Sequence, residues 1–502
     1  MQTRLKSGIS KPKRAFTSTS PNYLDVEPPS FSIASALTPW VAAMKDEYSA
    51  LHRQGIWTLV PPAPSQNIVG CKWVYKIKRH ADGSVSRYKA RLVAKGFHQK
   101  AGLDYDETFS PVIKPTTVRI ILTLAAQFSW PLRQLDISNA FLHGFLKEDV
   151  YMAQPQGFID SAKPGYVCKL HKSLYGLKQA PRAWFERFTS QLENLGFTDY
   201  SADPSLFTYK SHNKILYLLL YVDDIILIGT LPSLITNLIT KLQQTFELKD
   251  FGPLHYFLGL QLQYHETHPR PKAHPYLNPT HFRSLVGALQ YLTFTRLDLS
   301  FAVNQVCQFM HSPTDTHLVV AKRILRYLKG TLTHGLLFCP SSLTLQAYAD
   351  ANWAGNLDDH HSTSGYVVFL GSTPITWVLE ETKHSFSLPL PKQNIGALLP
   401  PLQRSSGFEW SSKIWGFFSL DPPLLWCDNL FALALASNPM FHARTKHIEV
   451  DYHFIREKVV RRDVVVKFVS TTDQLADILT KCLPSLGFTR LRNNLLLPFR
   501  PP

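Results

Sequence analysis

The chain has 502 residues, of which 45% are hydrophobic and 12% aromatic, so it is long enough for about two to four domains with real cores. Lys and Arg outnumber Asp and Glu by 53 to 37, and the net charge of +16 favours a polyanionic partner such as nucleic acid. The six cysteines form no CxxC pair, which argues against a zinc ribbon or a disulfide framework.

The N-terminal residues, MQTRLKSGISKPKR, lack an apolar stretch, so no signal peptide is predicted. The most apolar run in the chain is too short for a transmembrane helix and is interrupted by two charges. We therefore expect an intracellular, cytoplasmic protein with reduced thiols and no membrane association. The basic N-terminal run is a candidate nuclear signal, with a solvated tail as the alternative.

Residues 1–38 are rich in Ser, Pro and Lys, which predicts a disordered basic leader. Helical spacing of apolar residues follows from Trp40 to Leu51. Residues 70–99 alternate apolar and basic residues around a turn signal at Asp82 and Gly83, which predicts a β-hairpin. One face would carry Lys72, Lys76, Lys78, Lys89 and Arg91. Interleaved aromatics favour a surface for phosphates and bases over a solvated face, namely Trp73, Tyr75 and Tyr88.

The stretch YLLLYVDDIILIG, residues 217–229, places Asp223 and Asp224 between two short apolar runs. This pattern predicts a β-hairpin with the acidic pair at its turn. Since neighbouring side chains alternate faces along a strand, we expect Asp223 to be the principal metal ligand and Asp224 to support the site. The alternative is that both aspartates are ordinary turn residues, since Asp is common in turns. However, two carboxylates between buried strands are costly unless a cation offsets them.

A second acidic position, Asp136, lies at a predicted strand end in LRQLDISNAFLHGFL, residues 132–146. Alone, it could equally be a helix N-cap. Residues 172–188, KSLYGLKQAPRAWFERF, combine Gly176 with Lys178 and Arg182 near a predicted helix start. Cations are disfavoured at that end of a helix, so these two side chains should face an anion.

The second half begins with a Pro- and His-rich linker at residues 265–280, followed by helical residues 281–340. Strand-end aspartates come next, Asp350 after a strand at 344–349 and Asp428 after an apolar run. Asp477 lies on a predicted final helix, with residues 484–502 as a tail. Residues 378–415 contain several prolines and no usable pattern.

The phrases KWVYKIK, RYKARLVAKGFHQ, QLDISNAFLHGFL, VYMAQPQGF, SLYGLKQAPRAWF and YVDDIILIG together resemble the reverse transcriptase of copia-type LTR retrotransposons. The later phrases RSLVGALQYL, AYADANWAG, WCDN, ARTKHIEVDYHF and QLADILTKCL resemble the ribonuclease H domain of the same Pol polyprotein. The resemblance covers about residues 40–483, and the joint order of the phrases makes it specific.

The resemblance implies an α+β fold: a right-hand polymerase with fingers, palm and a shortened thumb, then a disrupted ribonuclease H-like α/β domain. Residues 39–264 would form fingers and palm, and residues 265–280 a linker at a thumb deletion. Residues 281–340 would form a helical connection, and residues 341–483 the ribonuclease H-like domain. The implied partners are an RNA template, a DNA primer and deoxynucleoside triphosphates.

The resemblance also implies roles for single residues. The catalytic, metal-binding palm carboxylates would be Asp136, Asp223 and Asp224, holding two Mg²⁺ ions, with Mn²⁺ as an alternative. Phe141 matches the bulky residue that selects deoxynucleotides. Further nucleotide or template contacts would come from Lys89, Arg91, Gly176 and Lys178. The ribonuclease H remnant would keep Asp350, Asp428 and Asp477.

The leading hypothesis is therefore an RNA-directed DNA polymerase, a nucleotidyltransferase, with a degenerate ribonuclease H domain. The alternative is a catalytically inactive nucleic-acid-binding remnant of the same polyprotein. The fourth ribonuclease H carboxylate, a Glu in a helix similar to Ser-Thr-Glu-Ala-Glu-Tyr, is absent after Trp377. The presence of all three palm carboxylates favours an active polymerase. The shortened thumb and the missing Glu favour the inactive remnant.

A shifted reading frame explains the missing Glu, and we predict that the ribonuclease H centre is inactive. Residues 389–397 can be encoded as CCT CTA CCG AAG CAG AAT ATC GGA GCN. Dropping the first two bases gives Ser-Thr-Glu-Ala-Glu-Tyr-Arg-Ser. Genomic DNA should contain GAAGCAGAATA in this stretch, and its absence would refute the frame argument. The purified chain should not cleave RNA in an RNA–DNA hybrid, and Mg²⁺-dependent cleavage would refute the predicted inactivity.

Overall fold

The computed structural model describes most of the chain between residues 24 and 498. The described residues are 24–64, 66–80, 82–200, 203–211, 214–254, 256–257, 260–261, 279–352, 362–382, 422–437 and 449–498.

The described part of the chain contains both helices and strands. The helices are, in chain order, α1 (Phe31–Ala34), α2 (Thr38–Arg53), α3 (Pro115–Phe128), α4 (Ala180–Asn194), α5 (Pro232–Gln243), α6 (Pro279–Leu292), α7 (Ser300–Cys307), α8 (Asp315–Gly330), α9 (Leu430–Ser437), α10 (Glu449–Val460), α11 (Asp477–Thr480) and α12 (Ser485–Leu495). The strands are β1 (Trp57–Val60), β2 (Ile68–Val69), β3 (Cys71–Arg79), β4 (Val85–Ala94), β5 (Leu132–Ile137), β6 (Phe145–Met152), β7 (Val167–Lys172), β8 (Thr198–Tyr200), β9 (Asp203–Ser211), β10 (Lys214–Tyr221), β11 (Asp224–Gly229), β12 (Leu248–Pro253), β13 (Tyr256–Phe257), β14 (Leu260–Gln261), β15 (His334–Gly335), β16 (Leu345–Asn352), β17 (Ser362–Leu370), β18 (Thr373–Thr382), β19 (Leu424–Cys427), β20 (Val465–Phe468) and β21 (Leu497–Pro498).

The chain divides into two compact units. The first unit combines Met1–Ser110 with Asn139–Asn194, and the second combines Pro111–Ser138 with Leu195–Pro502. The predicted continuous segment 39–264 is therefore shared between the units, because the chain leaves the first unit before α3 and re-enters it after β5.

The first unit contains a four-stranded sheet, in the order β1-β7-β6-β2, and the separate hairpin β3-β4. The predicted hairpin and the predicted helix over Trp40–Leu51 are both confirmed. Helix α2 covers one face of the hairpin, where the Trp40 ring meets the Tyr75 ring edge-on at 5.3 Å. Fully buried Trp40 and Leu51 join Trp73 in one core, so the alternation in β3 buries its aromatic face.

The second unit is built on a six-stranded antiparallel sheet in the order β12-β5-β11-β10-β9-β8. Its central strands are buried at every position from Leu216 to Leu220 and from Ile225 to Gly229. Leu and Ile side chains on both faces of these strands therefore need cover on both sides. Helix α3 contributes to that cover, since Val118 and Ile121 share a core with Leu219 and Ile226.

The predicted hairpin at the acidic pair is confirmed, with Tyr221 paired to Asp224 across a two-residue turn of Val222 and Asp223. Val222 has a φ of 56°, the left-handed region that a β-branched side chain strongly disfavours. A positive φ at the first turn residue alone matches a type II′ turn, which usually has Gly there. This turn is therefore strained at the residue before Asp223.

A five-stranded mixed sheet forms the later part of the second unit, in the order β18-β17-β16-β19-β20. Strands β16 to β18 pair antiparallel, whereas β19 and β20 run parallel to β16. Inward residues such as Ala347 and Val368 belong to the same core as α3. Helices α6, α7 and α8 pack as a separate cluster around Val286, Val303 and Ile324. Helices were predicted for residues 281–340, but the last of these helices ends at Gly330 and β15 follows it.

Three expectations are wrong where the structure describes the chain. The predicted disordered leader, residues 1–38, is ordered from residue 24, because Ala34 of α1 is fully buried. The predicted tail, residues 484–502, contains α12, whose Leu491 and Leu495 are one helical turn apart and buried against Val367. The segment predicted to lack a pattern, residues 378–415, starts inside β18.

Several other expectations fall outside the described residues. They concern residues 1–23, the core of the linker at 262–278 and the Pro-rich stretch at 383–421. Among the helices that the structure describes, none combines the length and apolar character that crossing a bilayer needs.

Replacing Val222 with Gly should stabilise the protein by about 1 kcal/mol, because relief of left-handed strain outweighs the added chain entropy. Urea unfolding of both proteins measures the difference. The matched control is Val319→Gly, an exposed Val within α8, which should lose roughly a few tenths of a kcal/mol as helical Val is replaced by Gly. Equal destabilisation by both changes would contradict the strain at Val222.

Candidate functional site

Two of the predicted palm carboxylates face each other across neighbouring strands. Asp224, the first residue of β11, is paired in register with Asp136 near the end of β5. Asp223 precedes it at the exposed hairpin turn. The turn is tied to β5 because the Ile137 amide donates to the Asp223 carbonyl at 2.9 Å. The structure therefore brings Asp136, Asp223 and Asp224 to one end of the six-stranded sheet.

The electrostatics at this sheet end favour a cation. Burial, together with the negative charges of Asp223 and Asp136, raises the pKa of Asp224 to about 6. When the pKa of a carboxyl group is raised in this way, positive charge near it does not fully stabilise the ionised form. Oxygen ligands on hard divalent cations supply that charge in proteins, so the donor set fits a Mg²⁺-class ion.

The basic face predicted for the β3-β4 hairpin is present in the first unit. Lys76 is paired directly with Lys89, Lys78 with Arg87, and Val74 with Arg91. Like charges in directly opposed positions destabilise a sheet unless an anion lies over them. Burial and the charges of Arg91 and Arg87 lower the pKa of Lys89, which shows the crowding of positive charge. Lys76 forms an ion pair with Glu27 at 3.2 Å.

The predicted role of the hairpin aromatics is wrong. Trp73 and Tyr75 are each 7% exposed and Tyr88 meets the Trp40 ring at 4.9 Å, all on the side covered by α2. Strand alternation separates these rings from the basic side chains, so they belong to the core and offer no face to a base.

The residues predicted to contact nucleotide or template lie together in the first unit. The Arg91 guanidinium stacks 4.5 Å from the centre of the Tyr175 ring, and Tyr175 meets Phe141 edge-on at 5.6 Å. Phe141 lies in a short 3₁₀ turn, residues 140–143, that follows β5. The structure thus connects β4, the Phe141 turn and the loop before α4 through one stack of side chains.

Gly176 is required for this arrangement on steric grounds. Its φ is 89°, and a Cβ atom built on it would lie 2.2 Å from the Ala94 carbonyl oxygen of β4. Only Gly allows this approach of two backbones. Two residues later, Lys178 donates to the Tyr105 hydroxyl at 2.8 Å, and its amide donates to Gln99 at 2.9 Å. Arg182 meets Glu148 at 2.8 Å, which supplies the expected anion.

A second acidic cluster lies on the five-stranded sheet. Asp350 is within β16, Asp428 follows β19, and Asp477 is the first residue of α11. One oxygen from each lies within 4.8 Å of the others, and this is the one such trio of metal-ligating residues among the parts of the chain that the structure describes. Asp350 was expected to end its strand, but β16 continues to Asn352 through its pairing with β17.

This second cluster contains a cation of its own. The Lys481 ammonium lies 2.7 Å from Asp477 and 3.2 Å from Asp350. Burial alone would lower the pKa of Lys481, but the two carboxylates outweigh it and raise the pKa. Burial raises the pKa of Asp477 to about 6 despite its contact with Lys481. Thr480 donates its hydroxyl to Asp350, which fills another acceptor position.

Sequence reasoning missed Tyr175, Thr480 and Lys481 as members of these sites. Tyr175 stands inside the phrase SLYGLKQ, and Lys481 inside QLADILTKCL, so a signal was present in both cases. Residues 389–397, which the frame argument assigns to the helix with the fourth ribonuclease H carboxylate, lie outside the described residues.

Comparison with known proteins identifies the lineage. The reverse transcriptase (RNA-dependent DNA polymerase) family matches residues 54–280. The chain is 44% identical to the retrovirus-related Pol polyprotein from transposon RE1 of Arabidopsis thaliana, covering 100% of this chain and 37% of that protein. It is 36% identical to the Pol polyprotein from transposon TNT 1-94 of Nicotiana tabacum, covering 89% and 37%. The chain thus spans a little over a third of the length of these relatives.

A solved structure supports the fold. The foamy viral protease-reverse transcriptase in complex with RNA/DNA hybrid is 12% identical, with a TM-score of 0.50 over 89% of this chain and 55% of that chain. This likeness confirms the expected α+β polymerase fold with a ribonuclease H-like domain. The predicted thumb shortening, around residues 265–278, lies outside the described residues.

The family match, the identity along the whole chain and the polymerase fold agree with the six phrases that suggested a reverse transcriptase. The chain belongs to the copia-type retrotransposon Pol polyproteins, and its residues 54–280 are their reverse transcriptase region.

Proposed function

We propose that the protein is an RNA-directed DNA polymerase that extends a DNA primer on an RNA template with deoxynucleoside triphosphates. The observation that carries the proposal is the register of β5 and β11, which sets Asp136 opposite Asp224 beside the Asp223 turn. Three acidic residues at the end of an otherwise apolar sheet are costly without a bound cation. A catalytic metal site accounts for that cost.

In this proposal Asp136, Asp223 and Asp224 hold two Mg²⁺ ions, with Asp223 as the principal ligand. Bound there, the ions would activate the primer 3′-hydroxyl and stabilise the leaving pyrophosphate. The residues themselves fix the geometry: the β10-β11 hairpin presents Asp223 and Asp224, and β5 presents Asp136. Mn²⁺, which accepts the same oxygen ligands, is an alternative ion.

The first unit would bind the nucleic acid and the incoming nucleotide. The opposed cations of the hairpin, Lys76 with Lys89 and Lys78 with Arg87, are suited to backbone phosphates. Phe141 would select deoxynucleotides by crowding a ribose 2′-hydroxyl, and its contact with Tyr175 holds the ring in place. Lys178 and Arg91 would contact phosphate oxygens. The nucleic acid bound by the foamy viral relative supports this class of partner.

Changing Asp136 or Asp223 to Asn should lower primer extension by several orders of magnitude, on the scale of metal and electrostatic catalysis. The assay is Mg²⁺-dependent extension of a DNA primer on an RNA template. Asp199→Asn is the matched control, because it removes the same charge from an exposed position on strand β8 of the same sheet. It should leave the rate unchanged.

Full activity in Asp223→Asn would rule out the assigned role of that carboxylate. If the unmodified chain binds an RNA–DNA hybrid but extends no primer, the protein is instead the nucleic-acid-binding remnant.

A separate prediction concerns stability and pH. The folded pKa of Asp224, about 6, exceeds the unfolded value of about 3.9. Its stabilising contribution is therefore present below the unfolded pKa and lost as the pH rises through about 6. In EDTA, Asp224→Asn should raise the melting temperature at about pH 7.5 and change it less below about pH 5.

Thermal unfolding monitored by circular dichroism across this pH range measures the effect. Adding Mg²⁺ should stabilise the unmodified protein more than Asp224→Asn. If the melting temperatures of the two proteins change with pH in the same way, both in EDTA and in Mg²⁺, then the folded protein does not disfavour the charged form of Asp224.

A further inference from the structure

Within the described residues, the second unit buries Arg119 without an acidic partner. Arg119, on α3, is 4% exposed. Its two terminal nitrogens donate to the backbone carbonyls of Ile375, at 2.9 Å, and Phe294, at 2.5 Å. No carboxylate pairs with it among the described residues. Carbonyl acceptors satisfy hydrogen bonds but do not neutralise a charge, so a net positive charge remains inside the protein.

Aromatic rings hold the guanidinium in place. Its central carbon lies 3.8 Å from the centre of the Trp377 ring and 4.7 Å from that of Phe294. Cation–π contacts recover only part of the lost hydration of a buried cation. The buried Nε–H of Arg119 has no hydrogen-bond partner in the part of the chain that the structure describes.

A cavity of about 610 Å³ opens beside Arg119, between α3, α6 and β18. Arg119 and Lys114 both line it, and none of its lining residues is acidic. Neutral groups with donors also line it: Thr116, Gln290 and Thr376. The volume lies in the range of small-molecule sites, about 300–1,000 Å³.

The carboxylate of Asp203, at the start of α3, already accepts hydrogen bonds from that helix. Asp203 accepts from the Lys114 amide at 3.0 Å and from the Thr117 hydroxyl at 2.6 Å. Asp203 therefore offsets the positive end of the α3 helix dipole. It does not line the cavity. The guanidinium still lacks a counter-charge.

We propose that this cavity binds a phosphate-bearing ligand of nucleotide size, with Arg119 as the principal cation and Lys114 as the second. The site is separate from both acidic clusters, because none of their aspartates lines the cavity. A phosphate presents several acceptor oxygens, which suits two cations with nearby hydroxyl and amide donors. A half-exposed Tyr291 ring also lines the cavity and offers a face for a base.

The behaviour of Arg119 is consistent with this assignment. Burial lowers the pKa of the Arg119 guanidinium to about 9. That value leaves the group charged at neutral pH, so the cavity keeps its positive potential before any ligand enters.

Equilibrium dialysis of the full chain against radiolabelled AMP in EDTA tests the proposal, since EDTA removes metal-dependent binding at the aspartates. AMP should bind with one-to-one stoichiometry, and unlabelled adenosine should not displace it. Lys114→Gln should weaken AMP binding about tenfold, the loss expected for one charge-assisted hydrogen bond. Lys322→Gln is the control, an exposed lysine of α8 outside the cavity, and should bind AMP normally.

The remaining binding measurements define the chemical class of the ligand. Inorganic phosphate that displaces AMP indicates that the phosphate group suffices, whereas displacement by AMP alone indicates a nucleotide site. Arg119→Lys, checked for folding by circular dichroism, should also weaken binding. The proposal is overturned if AMP does not bind, if adenosine or acetate displaces AMP, or if Lys114→Gln binds AMP as tightly as the unmodified chain.

Discussion

The pairing of β11 with β5 is the constraint on which the acidic sheet end depends. Asp224 faces Asp136 only in the observed register, and a slip of one residue would turn the side chains of β11 to the opposite face. The register is enforced by the apolar residues behind the aspartates, Ile225 to Ile228, each of which is fully buried. Hydrophobic burial of about 1.5–3 kcal/mol per side chain thus holds together charges that repel each other. The strained Val222 turn is part of the same balance, because it is fixed by two long, well-paired strands.

Elements with a strong period could be predicted from the sequence. The β10-β11 hairpin and α2 both carry clear periodic apolar patterns, and the structure confirms both of them. Elements whose stability comes from distant contacts were missed. Helix α12 has only a short apolar stripe, and its Leu491 and Leu495 become core residues because β17 supplies Val367. The end of β18 has little pattern of its own and is held by pairing with β17 through Ser362.

The candidate sites show the same division. The motif residues Asp136, Asp223 and Asp224 could be named before the fold was known, because the resemblance fixed their identity. The covered face of the β3-β4 hairpin could not be predicted. Alternation predicts two different faces, but the position of α2 decides which of them is buried. The nucleic-acid contact predicted for Trp73 and Tyr75 was wrong for that reason, because both rings lie in the core. The contact of Lys481 with Asp350 joins residues far apart in sequence, which local pattern cannot show.

The two acidic clusters offset the same repulsion in different ways. At the end of the six-stranded sheet, neighbouring aspartates raise the pKa of Asp224, so an external cation has the most to contribute there. On the five-stranded sheet, the Lys481 ammonium already lies between Asp350 and Asp477. This tethered cation offsets the repulsion among carboxylate oxygens that lie within 4.8 Å of one another. Their convergence is therefore explained by folding alone and is not by itself a sign of ribonuclease activity.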